Sequence, residues 1–204
     1  MTLRPTALRW VLAALVALAL VPGVAVTRAG ISLLVAAPFG SASTGTTVSG
    51  ALLRGVSVAP WGADLRSGSS VLGALGRQYL HAGALGALQD AAAEERARTT
   101  RRARAAGPWR VLETGWRGGG LFVPHLTHQD GLSVDLAVPL LVGRVPSGPW
   151  AAFGYGAAVG GGAEETGLTL DAPRLARFFD ALCDVAPRHG VRVQTLILWA
   201  PLQP

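Results

Sequence analysis

An apolar stretch from Trp10 to Leu20 lies close to the N-terminus and sets the first limit on how this chain can fold. Arg4 and Arg9 precede it, and no charged residue follows as far as Val26. Residues 10–26 amount to about 17 residues, close to the shortest helix that spans a bilayer. A short basic segment followed by such a stretch is typical of a secretory signal. We therefore expect the chain to be exported.

The sequence alone leaves two fates open for this segment. Small residues around Ala29 offer a cleavage site, and cleavage there would make residues 1–29 a signal peptide. Without cleavage, residues 10–26 would anchor the chain to the inner membrane. In either case we expect residues 30–204 to form a periplasmic domain, because they are numerous enough to bury one hydrophobic core.

The composition favours a packed domain. Half of the residues are hydrophobic and 15% are charged, which excludes a largely disordered chain. The net charge is +6 and all 18 basic residues are Arg, so anionic membranes or cell-wall polymers are expected to attract the chain. No basic run is interleaved with aromatic residues, and we expect no nucleic-acid binding. Cys183 is the only cysteine, which excludes an intramolecular disulfide, and its apolar surroundings predict a buried side chain.

Helices and strands are expected in a mixed order. The Ser-, Thr- and Gly-rich segment 40–50 predicts irregular structure, and residues 69–106 predict largely helical structure that ends near Gly107-Pro108. Within this helix, Glu94 and Glu95 precede several arginines and predict a solvated face.

The second half of the chain is expected to add strands and one further helix. Trp109–Thr114 and the alternating Leu132–Val138 predict strands, and the Gly-rich segment 146–166 predicts a long loop. Asp171 followed by Pro173 predicts the start of a helix, and Gly190 predicts its end. Val191–Trp199 predicts a buried strand. Without a regular βαβ rhythm, these elements indicate an α+β domain.

Metal-binding residue types cluster in the segment VPHLTHQDGLSVDLAVP. His125 and His128 are three residues apart, and Asp135 follows on the predicted strand, opposite the face of Val134 and Leu136. Imidazole nitrogen and carboxylate oxygen are ligands of Zn²⁺, and a catalytic zinc site needs about three of them plus an open position. The spacing is equally compatible with an ordinary loop, although a carboxylate on an apolar strand needs a partner or a metal.

The string HLTHQDGLSVD, from His125 to Asp135, resembles the signature of the penicillin-insensitive murein endopeptidases, a His-x-Ser-His-Gln-x-Gly-x-x-Val-Asp pattern. The glycine-rich RGGG at 117–120 resembles the turn that precedes it, and Thr127 stands in place of Ser. Weaker similarities, in the loop 40–52, in YLH at 79–81 and in the final LWAPLQ, extend the resemblance over roughly residues 35–204.

The resemblance implies a fold and a chemistry. The fold would be a small antiparallel sheet flanked by helices, as in the D-Ala-D-Ala metallopeptidases and hedgehog-like domains. The activity would be zinc-dependent hydrolysis of peptide cross-links in peptidoglycan, insensitive to penicillin because no active-site serine is acylated. His128 and Asp135 would be zinc ligands, and His125 a further residue that faces the metal or the substrate.

The family also carries a later His-x-His, which supplies the last zinc ligand and a base, and these 204 residues contain none. The resemblance would place it after Pro204, so the catalytic residues stay unassigned. Two functions remain open: an active zinc endopeptidase, or a truncated or inactive relative that binds the wall without cleavage. An inner-membrane protein of unrelated role is a third hypothesis, based on the N-terminal stretch alone.

The remaining histidines are expected to be structural. His81 precedes a predicted helix and would pack or cap its start, and His189 would cap a helix end or be exposed. A serine hydrolase is disfavoured because Gly-x-Ser-x-Gly does not occur. A dinucleotide-binding glycine loop is disfavoured because GYGAAVGGG follows no strand signal.

Overall fold

The computed structural model describes residues 5–36, 40–99, 107–142 and 169–197, and it combines helices with short strands. Its helices are α1 (Pro5–Ala36), α2 (Ser70–Leu75), α3 (Ala82–Arg98) and α4 (Ala172–Val185), followed by a 3₁₀ turn (Ala186–His189). Its strands are β1 (Ala42–Thr46), β2 (Ser49–Leu53), β3 (Val56–Ser57), β4 (Leu65–Ser67), β5 (Tyr79–Leu80), β6 (Trp109–Val111), β7 (Leu140–Val142) and β8 (Thr169–Leu170). The α+β class is therefore confirmed.

The described strands form four two-stranded sheets in place of one antiparallel sheet. The pairs β1–β2, β3–β5 and β7–β8 are antiparallel, whereas β4–β6 is parallel. Isolated bridges link these strands to neighbouring extended segments, such as the bridge that joins Val111 of β6 to Leu136. The described sheets are thus too short to form a continuous surface, and the helices carry much of the packing.

Local capping explains where the helices begin. Ser69 accepts a hydrogen bond from the Leu72 amide at the start of α2, and His81 accepts one from the Gly83 amide at the start of α3. At the start of α4, Asp171 accepts from the Arg174 amide, as the sequence predicted. Gly190 closes the 3₁₀ turn in the left-handed conformation.

The core lies between α3, α4 and the strand β6. Trp109 of β6 stacks on Phe178 of α4 with ring centroids 4.1 Å apart. Small side chains on α3, including Ala91 and Ala92, are fully buried and let α4 approach closely. Leu80 of β5 is buried in the same cluster. This core fixes β6, and β6 leads directly into the segment that carries the candidate site.

A buried ion-pair network crosses the same interface and corrects one expectation. Glu95, expected on a solvated face, is 2% exposed and faces Arg174 at 3.5 Å and Arg177 at 3.4 Å. Its carboxylate also accepts from Thr99 Oγ1 and Trp109 Nε1. Inter-helix packing, invisible in the local sequence, turns this position inward. A buried carboxylate requires such partners.

Three other local predictions are wrong. Segment 40–50 is not irregular, because β1 and β2 pair there as a hairpin. The prediction of largely helical structure over 69–106 is confirmed for the described residues, which hold α2 and α3 with the short strand β5 between them, and residues 100–106 lie outside the described part. Residues 191–197 form no strand, and Ile197 is 91% exposed. Cys183 is exposed, since it follows the buried Leu182 by one helical step of about 100°.

Two more predicted segments differ in extent or lie outside the described residues. The predicted strand from Trp109 to Thr114 is shorter, and β6 ends at Val111. The predicted loop 146–166 lies outside the described residues, as do positions 198 and 199 of the predicted last strand.

The N-terminal apolar stretch is part of α1, a helix of 32 residues. By length and composition it is the one helix among the described residues that is able to cross a membrane, with mean hydropathy 2.3. A signal sequence or a membrane anchor would both have this character. The helix continues past the cleavage site expected after Ala29 and ends at Ala36.

Candidate metal centre

The two histidines of the candidate site lie on a loop that is fastened to the β1–β2 hairpin by backbone hydrogen bonds. The Gly120 amide donates to the Gln129 carbonyl at 2.9 Å and to the Gly50 carbonyl at 3.1 Å. On the hairpin side, the Leu52 amide donates to the Gly118 carbonyl, and the Gln129 amide donates to Thr47. The glycine-rich turn that the sequence singled out therefore holds the histidine loop against the hairpin.

Close backbone approach explains one of these glycines. Gly119 has φ +69°, and a Cβ added there would lie 2.1 Å from the Gln129 carbonyl oxygen and 2.7 Å from the Leu52 amide nitrogen. A side chain at this position would therefore be strained and would push the loop and the hairpin apart. Gly118 beside it has open space around it.

Asp135 is placed by an extended segment that runs beside β6 and its continuation. The Leu112 amide donates to the Asp135 carbonyl at 2.8 Å, and the Asp135 amide donates to the Glu113 carbonyl at 2.9 Å. Val134 and Leu136 pack against the core, and the Asp135 side chain is 35% exposed on the other side. The predicted strand Leu132–Val138 is wrong, because no regular strand is assigned to this segment and Leu132 is exposed, but the extended chain around Asp135 still directs its side chain to the site.

His125, His128 and Asp135 come together as a three-donor group. One ligand atom from each lies within 4.8 Å of the other two, and the group can hold a metal ion. His128 Nε2 is 3.3 Å from Asp135 Oδ1. Two ligands of a tetrahedral zinc ion lie about 3.4 Å apart when each bond is about 2.1 Å long. The His128–Asp135 pair therefore fits zinc as it stands, and the widest pair would need to close by about 1.4 Å.

The orientation of His128 is fixed by the loop itself. Its backbone has φ 71°, a left-handed conformation that is uncommon outside glycine. Its Nδ1 lies 3.2 Å from the Ser133 carbonyl oxygen, and a carbonyl can only accept, so Nδ1 carries the proton. Nε2 is then the nitrogen that faces Asp135 and can bind a metal.

Burial and Asp135 act in opposite directions on the pKa of His128. Burial is the largest single influence and lowers the pKa, because it disfavours the charged imidazolium. The hydrogen bond and the charge of Asp135, with the carbonyls of Ser133 and Thr114, together outweigh burial and raise the pKa above 6.5. Without a metal, Asp135 therefore favours the protonated form of His128.

A second layer surrounds His125. Its Nε2 is 2.8 Å from Glu113 Oε2, and Glu113 is 2% exposed. The other oxygen of Glu113 pairs with Arg77 Nε, and Arg77 also donates to the Val123 carbonyl at 2.8 Å. Phe122 is fully buried, with ring centroids 6.0 Å from His125 and 5.5 Å from His128. Residues of this kind orient metal ligands in known sites.

Three residues of the site, Arg77, Glu113 and Phe122, are not among those predicted from the sequence. Only Glu113 left a signal, because it falls on the inward face of the WRVLET segment together with Trp109 and Val111. A carboxylate at an inward position needs a cationic or hydrogen-bonding partner. That partner, Arg77, is 36 residues away in sequence and could not be assigned in advance.

The other two histidines lie outside the group, as expected. His81 caps α3 and its Nε2 lies 3.0 Å from the Ser41 carbonyl oxygen. His189 pairs with Asp90 at 2.8 Å near the surface. Both positions are structural contacts of ordinary kind, and His189 is suited to serve as a control for substitutions in the site.

Comparison of the chain with protein-family models, curated proteins and solved structures finds no match. The function must therefore be inferred from the site and from the motif that carries it.

Proposed function

We propose that this protein is an exported zinc metallopeptidase that hydrolyses peptide cross-links in peptidoglycan. The observation that carries the proposal is the three-donor group of His125, His128 and Asp135, whose ligand atoms lie within 4.8 Å of one another. This group is built from the ends of the one segment, HLTHQDGLSVD, that resembles the murein endopeptidase signature. Geometry and motif thus select the same three residues.

The donor set suits zinc better than a hard cation. Two imidazoles and one carboxylate match zinc, whereas calcium and magnesium prefer oxygen ligands alone. His125 and Asp135 are half-buried, so the group is reachable from solvent and leaves room for a water or substrate ligand. A bound zinc ion would supply Lewis-acid activation of a water molecule and of the amide carbonyl.

The residues of the chain have separate tasks in this proposal. Asp135 and the Nε2 of His128 hold the metal, with His128 oriented by the Ser133 carbonyl. His125 is the third ligand, and it takes the place that the resemblance assigns to a later histidine. Glu113 orients His125, and Arg77 compensates the buried carboxylate.

The place of action follows from charge and from the N-terminus. The net charge of +6 favours binding to anionic wall polymers. The apolar helix α1 is compatible with export to the periplasm, where peptidoglycan lies. Exposed apolar side chains on the histidine loop, Leu121 at 65% and Leu126 at 75%, offer contact area for a peptide beside the metal.

A second candidate function is wall binding without cleavage. It is favoured by the net charge of +6, which attracts the chain to anionic wall polymers whether or not a peptide is cleaved. Zinc would then stabilise the loop without turning over a substrate.

Digestion of purified sacculi separates the two functions. The full chain, zinc-loaded in mild detergent, is incubated with sacculi, the glycan strands are then cut with a muramidase, and the muropeptides are separated by chromatography. A peptidase converts cross-linked muropeptides into uncross-linked ones, penicillin leaves the rate unchanged, and a chelator or His128→Ala abolishes the conversion. His189→Ala, the same substitution outside the site, retains activity. Binding to sacculi without conversion selects the second function. Conversion that survives both chelator and His128→Ala would contradict a zinc peptidase.

A further inference from the structure

The C-terminal part of α1 is packed into the domain along one face. Four small side chains spaced four, three and four residues apart are buried to 4% exposure or less: Ala25, Ala29, Ser32 and Ala36. This spacing places them on a single stripe of the helix. The same stripe continues into the domain core, because Ala36 belongs to the core cluster.

Specific contacts hold this stripe in place. The buried amide of Ser57 in β3 donates to Ser32 Oγ at 2.8 Å, so α1 satisfies a backbone group of the domain. Gly73 of α2 approaches Ala25 so closely that a Cβ added to Gly73 would lie 3.2 Å from the Ala25 Cβ. Contacts begin at Ala25, four residues before the cleavage site expected after Ala29. Cleavage there would remove part of the packed stripe.

The N-terminal part of α1 is exposed, in contrast to the buried C-terminal part. Its large apolar side chains face solvent, with Trp10 77%, Leu15 56% and Leu20 60% exposed. Within the apolar stretch of 18 residues that makes this helix long enough to cross a membrane, only 6% is buried, which is far from the pattern of a core helix. Such a surface needs an apolar partner on all sides.

The distance between the charged residues of α1 matches the thickness of the hydrocarbon core of a bilayer. Between Arg9 and Arg28 lie 18 residues without a charge, and 19 helical steps of 1.5 Å span about 28 Å. The hydrocarbon core of a bilayer is about 30 Å thick. Arg4 and Arg9 precede the span, and the positive-inside rule places that end in the cytoplasm and the domain outside.

From these observations we propose that α1 is a retained membrane anchor whose outer end is built into the folded domain. The occupant of its exposed surface is the lipid bilayer. Since the stripe starts at Ala25 and Arg28 marks the outer boundary, the domain rests directly on the outer face of the membrane with no flexible linker. This inference does not depend on the proposed enzymatic function.

The first test is the intact mass of the full chain after expression in a Gram-negative host. The expected result is a mass that begins at Met1 or Thr2, found in membranes and resistant to carbonate extraction. A folded protein whose mass begins at Gly30 would overturn the proposal. A full-length chain that carbonate releases as a soluble oligomer would also overturn it, because a second copy would then cover the apolar surface.

The second test addresses the packed stripe. In a Cys183→Ser background, Ala25→Cys and Gly73→Cys place two thiols close to the Cβ separation of a disulfide. After oxidation of membranes, this pair is expected to resist labelling by a maleimide until it is reduced. The control pair of Leu33→Cys with Gly73→Cys, in which position 33 lies beyond Arg28 and is 45% exposed, stays labelled at Leu33→Cys. Equal labelling of both pairs in full-length protein would refute the docking of α1.

Discussion

Replacement of Glu113 by Gln removes the negative charge that links Arg77 to His125 behind the candidate site. Glu113 is 2% exposed, contacts His125 Nε2 at 2.8 Å through one oxygen, and pairs with Arg77 through the other. Glutamine keeps the shape of the side chain but offers one acceptor oxygen and no charge. It can therefore accept from Arg77 or from the His125 Nε2–H, but not from both as the two oxygens of the carboxylate do.

The expected loss of stability follows from the burial of the Arg77–Glu113 ion pair. Removal of one partner from a buried ion pair destabilises a protein by about 3–5 kcal/mol. The Arg77 side chain is 14% exposed, and it keeps its hydrogen bond to Val123 and its position over the Phe122 ring. We therefore expect a loss of about 2–3 kcal/mol, below the range for full burial. For a chain of this size, that corresponds to a fall in Tm of roughly 5–10 °C.

Zinc affinity should fall as well, because outer residues that orient a ligand histidine typically contribute about 10–100-fold to metal affinity. The assay is thermal unfolding of the metal-free full chain in detergent, followed by competition for zinc against a chromophoric chelator. Glu94→Gln is the matched control, since its pairs with Arg98 and Arg188 are exposed and worth at most about 1 kcal/mol. Equal stability and equal zinc affinity for both variants would refute the role given to Glu113.

Two further predictions concern the loop and its proton. Gly119→Ala should destabilise the fold by about 2 kcal/mol or more and weaken zinc binding, because of its positive φ and the close Gln129 carbonyl, whereas Gly118→Ala should shift stability by less than about 0.5 kcal/mol. Denaturant titration of both variants checks this, and equal effects would contradict it. The raised pKa of His128 means that its proton stabilises the metal-free fold below about pH 6.5, and this contribution is lost as pH rises through the folded-state pKa. Zinc affinity should rise over the same range, as the metal displaces that proton; isothermal titration from pH 6 to 8 with no change in affinity would contradict this.

Local signals in the sequence predicted the parts of the fold that depend on few neighbours. The start of α4 follows from Asp171 and Pro173, and the cap of α3 follows from His81. The position of Asp135 opposite Val134 and Leu136 follows from the period of two in an extended chain. These features depend on residues within a few positions of one another, which a sequence displays directly.

Features that depend on distant partners could not be predicted. The hairpin of β1 and β2 cannot be predicted locally because its Ser, Thr and Gly residues favour turns as much as strands. Residues 191–197 are apolar enough for a strand, but strand formation needs a partner edge, and they pair with none of the described strands. The ion pair of Arg77 with Glu113 and the packing of Ala25 against Gly73 likewise join residues far apart in sequence.

The most direct test of the account is the zinc content of the purified full chain beside its His128→Ala and His189→Ala variants. The chains are loaded with zinc, dialysed against metal-free buffer in detergent, and measured by mass spectrometry of the metal. The account predicts about one zinc per chain in the parent and in His189→Ala, and a loss of most of it in His128→Ala. No zinc in the parent, or equal zinc in all three proteins, would contradict a metal centre at His125, His128 and Asp135.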